Sequence, residues 1–372
     1  YTGRIELVHE DLDNWLSGRW GMEVVREEQV SRGSGTPLTP GGTISNYSVF
    51  GFEEFDLDAL KIDIGLRFDH RDQEANPGDT RITSGLEDDS GMLLDPALLE
   101  NTYDVVTGSI GASYRLMDNL VAAANVGRAY RAPDLFELYA DGVHGGVAAV
   151  QKGDPSLDEE KSLNTDFSLR WRSDRLRAQA TVYRNQINDY IFLFSTGGSQ
   201  GGKPIFQYDQ NDATLYGTNL SARFQVNRLL ALHGSFELVR GEFDDSNDDL
   251  PLLPADELRG GFTLTPPTIG VLHQPYLTLE VVYNSDKDAA GGLEPFSQFD
   301  RKDVGSASTD DYTLVNLLAG FDLPYQANGR PGRINVQVNN LFDEDYRDFL
   351  DTYKGYALSP GRNVTVQMNL PF

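Results

Sequence analysis

The residues best suited to chemistry share one glycine-rich stretch, residues 131–160, RAPDLFELYADGVHGGVAAVQKGDPSLDEE. Glu137, Tyr139, Asp141 and His144 lie close together there, so one loop could offer two carboxylates, a phenol and an imidazole to a substrate. Neutral imidazole and carboxylate oxygens ligate Zn²⁺ and similar ions, which makes His144, Asp141 and Glu137 a candidate metal set. The competing reading is a solvated histidine on a surface loop. A second run, GEFDDSNDDLP at 241–251, carries Glu242, Asp244, Asp245, Asp248 and Asp249. Hard cations take several oxygen ligands, but the run lacks the glycine and distal glutamate of an EF-hand loop. It reads as a solvated acidic loop that gathers cations at an entrance. Of the other histidines, His9 and His70 stand beside acids near predicted strand ends, and His70 could join a metal site at a rim. His233 and His273 read as structural. The chain has no Gly-x-Ser-x-Gly elbow, phosphate-cradling loop or His-Glu-x-x-His pair, so no catalytic residues and no enzyme are expected. No resident cofactor is expected either; a zinc ion or an iron chelate would be cargo.

Something must hold these loops apart and aim them. The chain has 372 residues, a net charge of −26 and no cysteine, which excludes disulfides and thiolate metal sites. So acidic a chain repels nucleic acid, which is not expected as a partner. Mean hydropathy is −0.41, and no apolar run approaches the roughly 18 residues of a membrane helix. A membrane strand needs only about 10 residues, with every second one facing lipid.

Alternation with a period of two is the dominant pattern. Leu60, Ile62, Ile64, Leu66 and Phe68 alternate with Lys61, Asp63, Gly65, Arg67 and Asp69. Leu163, Phe167, Leu169 and Trp171 alternate with Asn164, Asp166, Ser168 and Arg170. At the C-terminus Val364, Val366, Met368, Leu370 and Phe372 alternate with Asn363, Thr365, Gln367 and Asn369. The pattern predicts an all-β, transmembrane antiparallel barrel with about 15 strands. These lie near 2–10, 17–28, 45–56, 59–71, 102–116, 119–130, 161–173, 175–192, 212–227, 229–243, 256–266, 275–285, 311–323, 332–340 and 361–371. Many exceed the 5–6 residues usual in soluble sheets. Short links alternate with long segments at 72–101, 131–160, 193–211, 244–255, 286–310 and 341–360. Outer-membrane barrels pair short periplasmic turns with long extracellular loops, which places the C-terminus on the periplasmic side. Lys61, Asp63, Arg67, Asp166, Arg170, Arg175 and Arg177 fall on the polar, lumen-facing side. An odd strand number makes the first and last strands parallel, so either one strand is miscounted or further strands lie before Tyr1, and the second is the expectation.

Several stretches resemble the TonB-dependent receptor family. NVGRAYRAPDLFELYA (125–140) followed by GDPSLDEEKS (153–162) is similar to its Arg-Ala-Pro, loop, Gly-Asp-Pro and Glu arrangement. NVQVNNLFDEDYRDF (335–349) and SPGRNVTVQMNLPF (359–372) resemble its C-terminal elements, and LPLLPADELRGGF (250–262) resembles the stretch entering a late strand. The resemblance implies that residues 1–372 are the C-terminal part of one barrel domain of about 22 strands, whose plug and first strands lie outside this sequence. It implies a bacterial outer-membrane location among lipid and lipopolysaccharide. It also implies a TonB-type coupling protein reached through an N-terminal segment, and assembly machinery that reads Val364, Val366, Met368, Leu370 and Phe372. The loop ELYADGVHGG further resembles that of zinc-uptake-type receptors, with Gln151 where those carry an acid. The expected function is energised uptake of a metal ion or metal chelate of the siderophore kind. A passive porin or adhesin-like barrel and an outer-membrane enzyme are the competing classes.

Overall fold

The computed structural model describes residues 1–12, 15–30, 38–75, 98–145, 149–288, 290, 308–327, 330–351, 353–355 and 357–371. Seventeen strands and one short helix follow in order. They are β1 Thr2–Leu12, β2 Leu16–Gln29, β3 Gly42–Leu57, β4 Leu60–Ala75, β5 Glu100–Met117, β6 Leu120–Arg131, α1 Leu135–Tyr139, β7 Asp141–His144, β8 Ala149–Lys152 and β9 Glu160–Arg172. Then come β10 Leu176–Gln200, β11 Lys203–Gln225, β12 Leu230–Phe243, β13 Glu257–Leu264, β14 His273–Asn284, β15 Tyr312–Ala327, β16 Arg330–Asn339 and β17 Asn363–Asn369.

Each predicted strand is present. Two corrections concern the connections. Residues 131–160 contain the hairpin β7–β8 and a one-turn helix, which raises the number of strands to seventeen. Residues 193–211, read as a loop, are the far ends of β10 and β11, which run 25 and 23 residues and turn at Gly201–Gly202. Polar and small residues at 195–202 hid that extension, because a strand beyond the membrane has no lipid face to keep apolar. Phe372 lies outside the described residues, as do residues 76–97 and 291–307.

The wall is an antiparallel meander. β1 through β6 pair in sequence, β6 pairs with β9, and β9 through β17 pair in sequence. The β7–β8 hairpin lies outside this series, and β8 joins the far end of β11 in parallel, with Ile205 opposite Val150. Two-residue links at Asp58–Ala59 and Asp118–Asn119 close the tight end, Asp58 adopting a left-handed φ of 59°. A bulge between Ile187 and Tyr190, with Asp189 at φ 58°, reverses which side chains of β10 point inward above it.

Register converts the alternation into two surfaces. Ile5, Met22, Val49, Phe68 and Val106 stand opposite one another across β1–β5 as one row. Their exposures are 69, 57, 57, 43 and 52%. Two outward rows further along β4 and β5, exposed Ile64 stands opposite exposed Ile110. Leu169, Leu220, Val364, Val366, Met368 and Leu370 are exposed as well. The opposite face carries Arg67, Asp69, Ser109, Asn125, Asp166, Thr181, Asn219, Ser235, Thr278, Asn335 and Gln337. A soluble sandwich would bury the apolar row; here it lines the outside of the wall. The arrangement is that of a barrel with a lipid-facing exterior and a polar interior. Arg175, read as lumen-facing, stands in the β9–β10 turn instead.

This polarity predicts an asymmetric response to charge. Leu66→Arg in the exposed apolar row should destabilise the barrel by about 2–4 kcal/mol, whereas Thr107→Arg on the inner face should cost far less. Urea unfolding in phospholipid vesicles measures both, and equal losses would contradict the assignment of faces.

Candidate functional site

The stretch 131–160 folds on itself before it offers anything to a ligand. Pro133 cannot donate to a ladder, and β6 ends at Arg131. Asp134 then caps α1: its Oδ1 accepts from the N–H groups of Phe136 and Glu137, both at 2.8 Å, while Glu137 Oε2 accepts from Asp134 N at 2.9 Å. Leu135, Leu138 and Tyr139 enter a small core with Ala75, Leu157 and Ile191. Gly153 closes the stretch, because a Cβ there would lie 2.6 Å from the backbone of Leu138 and Tyr139.

One arginine clamps the ends. Arg131 donates to Glu160 through Nε and Nη2 at 2.8 and 2.9 Å, and to Glu137 through Nη1 at 2.7 Å. Glu160 Oε1 also accepts from Ile191 N at 2.7 Å, tying β9 to β10. Buried Gln73 donates to Pro133 O at 3.1 Å and accepts from Arg71 Nη2 at 3.1 Å. In sequence Arg131 and the glutamate before β9 stand only as parts of the family-like motif and Gln73 is not singled out; the β6–β9 register, which sets Arg131 opposite Glu160, supplies the pairing.

The expected site residues are thus placed individually. Glu137 belongs to the cap and the arginine clamp. Tyr139 is buried; its hydroxyl donates to Leu98 O at 2.7 Å and accepts from Asn101 Nδ2 at 3.0 Å. Asp141 opens β7, opposite Lys152, and its N–H donates to Leu38 O at 3.0 Å. His144 Nδ1 bonds Gln151 Oε1 at 2.9 Å, with the ring edge-on to Phe136 at 5.9 Å. Among the described residues, no group of three or more His, Asp or Glu side chains is placed to hold a metal ion. The structure therefore does not gather His144, Asp141 and Glu137 into a ligand set, because capping and packing use the glutamate elsewhere.

The acidic run makes a tight turn after β12. Glu242 bridges to Asp249, Phe243 N donates to Asp248 O at 2.9 Å, and Asn247 takes φ 55°. Asp244, Asp245, Asp248 and Asp249 are exposed, while Phe243 and Leu250 anchor the turn with Ala213 in a second small core. His70, on the outer face, bonds Asp104 at 2.7 Å and lies 3.3 Å from Asp72. His9 bonds Glu53 at 3.1 Å, and Trp20 Nε1 donates to the same carboxylate at 2.6 Å.

The hollows lie along the inner wall. One, of about 530 Å³, is lined by Glu237, Glu257, Arg259, Tyr183, Tyr312 and Asp348, with Leu253 and Phe349 from two long-loop segments at its edge. Glu237 and Glu257 stand directly opposite each other on β12 and β13. Arg259 offsets this repulsion, bonding Glu257 at 2.5 Å and lying 3.6 Å from Glu280. Tyr312 donates to Asp348 at 3.1 Å, which fixes loop 341–360 against the wall. The same loop is pinned at its far end. Asp343, at φ 61°, accepts from Arg362 N at 2.7 Å, and that bond holds its carboxyl below the usual range. Gly361 leaves room beside it: a Cβ there would lie 2.8 Å from Asp343 Oδ1 and would displace that carboxylate.

A wider hollow of about 950 Å³ spans β1–β6 and is lined by Arg4, Arg67, Arg71, Arg131, Asp69 and Phe50 among others. Arg4 and Arg67 stack over the Phe50 ring at 4.7 and 5.7 Å. Arg67 bonds Asp69 at 2.8 Å and Ser48 at 2.7 Å, and Arg4 pairs with Glu6 and Glu23. The wall there is a fixed array of charges, suited to binding polar solutes or polar protein surfaces rather than to reacting with them.

Residues 4–341 match the family model described as TonB dependent receptor-like, beta-barrel. Heme/hemopexin utilization protein C of Haemophilus influenzae is 24% identical over 274 residues, covering 65% of this chain and 35% of that protein. Vitamin B12 transporter BtuB of Vibrio vulnificus is 22% identical over 266 residues, covering 72% of this chain and 37% of that protein. Among solved structures, copper transporter OprC superposes with a TM-score of 0.75 at 19% identity, over 100% of this chain and 56% of that one. The chain thus spans little more than half of that structure, and its matched stretches little more than a third of the two relatives.

The loop anchors generate a pH prediction. Burial pushes the Tyr139 hydroxyl up to about 12, against the weaker opposing effect of the Asn101 bond. A raised pKa means the neutral form is preferred in the fold, so its contribution is intact below about pH 10 and is lost as pH rises towards 12. Proteolysis of 131–160 should rise across that window, and Tyr139→Phe should remove the step while loosening the loop by about 1–3 kcal/mol at neutral pH. A pH-independent wild-type digestion rate would refute this anchoring.

Proposed function

The chain belongs to the TonB-dependent receptor family as a portion of its outer-membrane β-barrel, and from that premise we propose that it is the C-terminal wall of an energised importer for a metal ion or metal chelate. The observation carrying the proposal is the inner wall itself. Its charged hollows lie beneath loops that salt bridges and small cores hold in place, so a solute meets a built vestibule. The names of the related proteins concern heme, vitamin B12 and copper, and the class those cargoes share is a metal or its complex. Family membership makes the chain part of a transporter and not an enzyme.

On this reading an N-terminal plug and the first strands precede residue 1, and the plug carries the segment that a TonB-type protein pulls. The wall would then continue beyond β1 towards about 22 strands. Lipid and lipopolysaccharide surround the apolar rows. The exposed Val364, Val366, Met368 and Leu370, with Phe372 after them, form the pattern that barrel assembly machinery would engage. Substrate enters between loops 131–160, 244–255 and 341–360, where the carboxylates Asp244, Asp245, Asp248 and Asp249 concentrate cations. His144 and Asp141 stand on the β7–β8 hairpin at this entrance, with Glu137 and Tyr139 supporting it from below.

The test uses metal-starved cells producing the protein at its natural length. Uptake of labelled zinc and of labelled ferric chelates is followed with and without a protonophore and a TonB-type partner. One cargo should enter only when both energy and partner are present. Entry that persists without them would favour the passive pore. Glu237→Gln/Glu257→Gln, which neutralises two facing carboxylates, should weaken half-saturation for the true cargo by about tenfold or more.

A further inference from the structure

We propose that the hollow between β10 and β15 selects a metal chelate bearing a protonated amine, in preference to a bare metal ion or an anionic chelate. The proposal rests on the importer reading and names the charge class of its cargo.

The register assembles a row of polar side chains across five strands. Asn219 of β11 stands opposite Glu237 of β12, and Glu237 opposite Glu257 of β13. Glu257 stands opposite Asn284 of β14, and Asn284 opposite Tyr312 of β15. All five line the hollow of about 530 Å³. Tyr183 of β10 lines it too, with its hydroxyl over Gly217, where a Cβ would lie 2.5 Å from that oxygen. Leu253 and Phe349 close its edge from two long loops.

Charge in the hollow is unbalanced. Its lining carries Glu237, Glu257 and Asp348 against one base, Arg259. Arg259 is committed to Glu257, through Nε at 2.5 Å and Nη2 at 2.8 Å. Asp348 accepts from neutral donors, the Tyr312 hydroxyl at 3.1 Å and Leu350 N at 2.8 Å. Glu237 is exposed and forms no hydrogen bond or ion pair among the described residues. Like charges directly opposite on a sheet face destabilise it, and the Glu237–Glu257 pair is only half relieved by Arg259.

These observations separate three classes of cargo. A bare hard cation needs several oxygen ligands gathered around it. Among the described residues no group of three or more acidic or histidine side chains is placed to hold one. The hollow of about 530 Å³ also far exceeds the roughly 30 Å³ of a water-sized occupant. An anionic chelate would bring like charge against Glu237 and Asp348 where solvent is partly excluded. An organic body with an ammonium group meets what the wall offers. Glu237 accepts a charge-assisted hydrogen bond, Asn219 and Asn284 add carboxamide oxygens, and Tyr183 and Phe349 supply aromatic rings to a cation. The volume lies in the range of pockets that hold small organic ligands.

The test measures equilibrium binding to the full-length protein in detergent micelles by quenching of its intrinsic fluorescence. The probes are a ferric trihydroxamate ending in a primary amine, the same chelate with that amine acetylated, and an anionic ferric tris-catecholate. The amine-bearing chelate should bind about tenfold more tightly than either of the others. Glu237→Gln should cut that preference to about twofold or less, whereas Glu237→Asp should retain most of it. Salt at about 0.5 M should narrow it. Glu237→Gln relieves the repulsion against Glu257, so the barrel should assemble normally, which its strand content by circular dichroism checks. Equal binding of the two trihydroxamates, tighter binding of the tris-catecholate, no binding of the amine-bearing chelate, or a preference that survives Glu237→Gln would each overturn the proposal. The readout is separate from transport. Energised uptake of anionic chelates alone removes this charge class and leaves the importer standing. A passive pore that still prefers the amine-bearing chelate does the reverse.

Discussion

Inside a bilayer there is no water to satisfy a backbone N–H or C=O, so every strand must find its partners in its neighbours. The rest of this molecule depends on that constraint. It requires ladders that continue from β1 to β17, and the period of two then sorts every side chain to one of two solvents. With β4 held by β3, a slip of one residue between β4 and β5 would move Val106 and Ile110 into the lumen and Thr107 and Ser109 into lipid. The wide separation in solvation energy between those arrangements fixes the register, and through it the position of every charge that faces the interior.

The loops obey a different rule. Above the membrane the backbone can bond to water, so order there has to come from specific side chains. Arg131 illustrates how few are needed. It binds the first residue of β9 and the cap of α1 together, while Gln73 joins the same point to the inner wall. The Arg-Ala-Pro and Gly-Asp-Pro elements of the family thus describe how a loop is closed, with Gly153 allowing the helix to be approached. Asp343, Gly361 and Arg362 do the same for the loop before β17. The shared motifs are architectural, which explains why they identify the family without naming a substrate.

That distinction also marks what was legible in the sequence. Strands with one lipid face, such as Leu60–Ala75 and Asn363–Asn369, announce themselves by alternation, and the asymmetry of short and long links gives their direction. The far ends of β10 and β11 leave no such trace because both faces meet polar surroundings. The candidate site was harder still. His144 and Glu137 look like ligands when read as neighbours in a string, yet their partners are Gln151 on the next strand and Arg131 six residues back. Glu237 and Glu257 are 20 positions apart and appear unrelated until β12 and β13 are aligned. Cross-strand proximity depends on register between loops of unequal length, which composition does not encode.

Charge completes the picture. The acidic surplus is concentrated in the exposed turns, whereas the inner wall alternates between neutralised networks and a basic ladder near the tight turns. The networks around Arg4, Arg67 and Arg259 show that the wall has acidic partners to place wherever it is to be self-sufficient. Arg172, Arg177 and Arg223 stand in one row with no such ion pair among the described residues, so β9, β10 and β11 carry a repulsion that their own side chains do not offset.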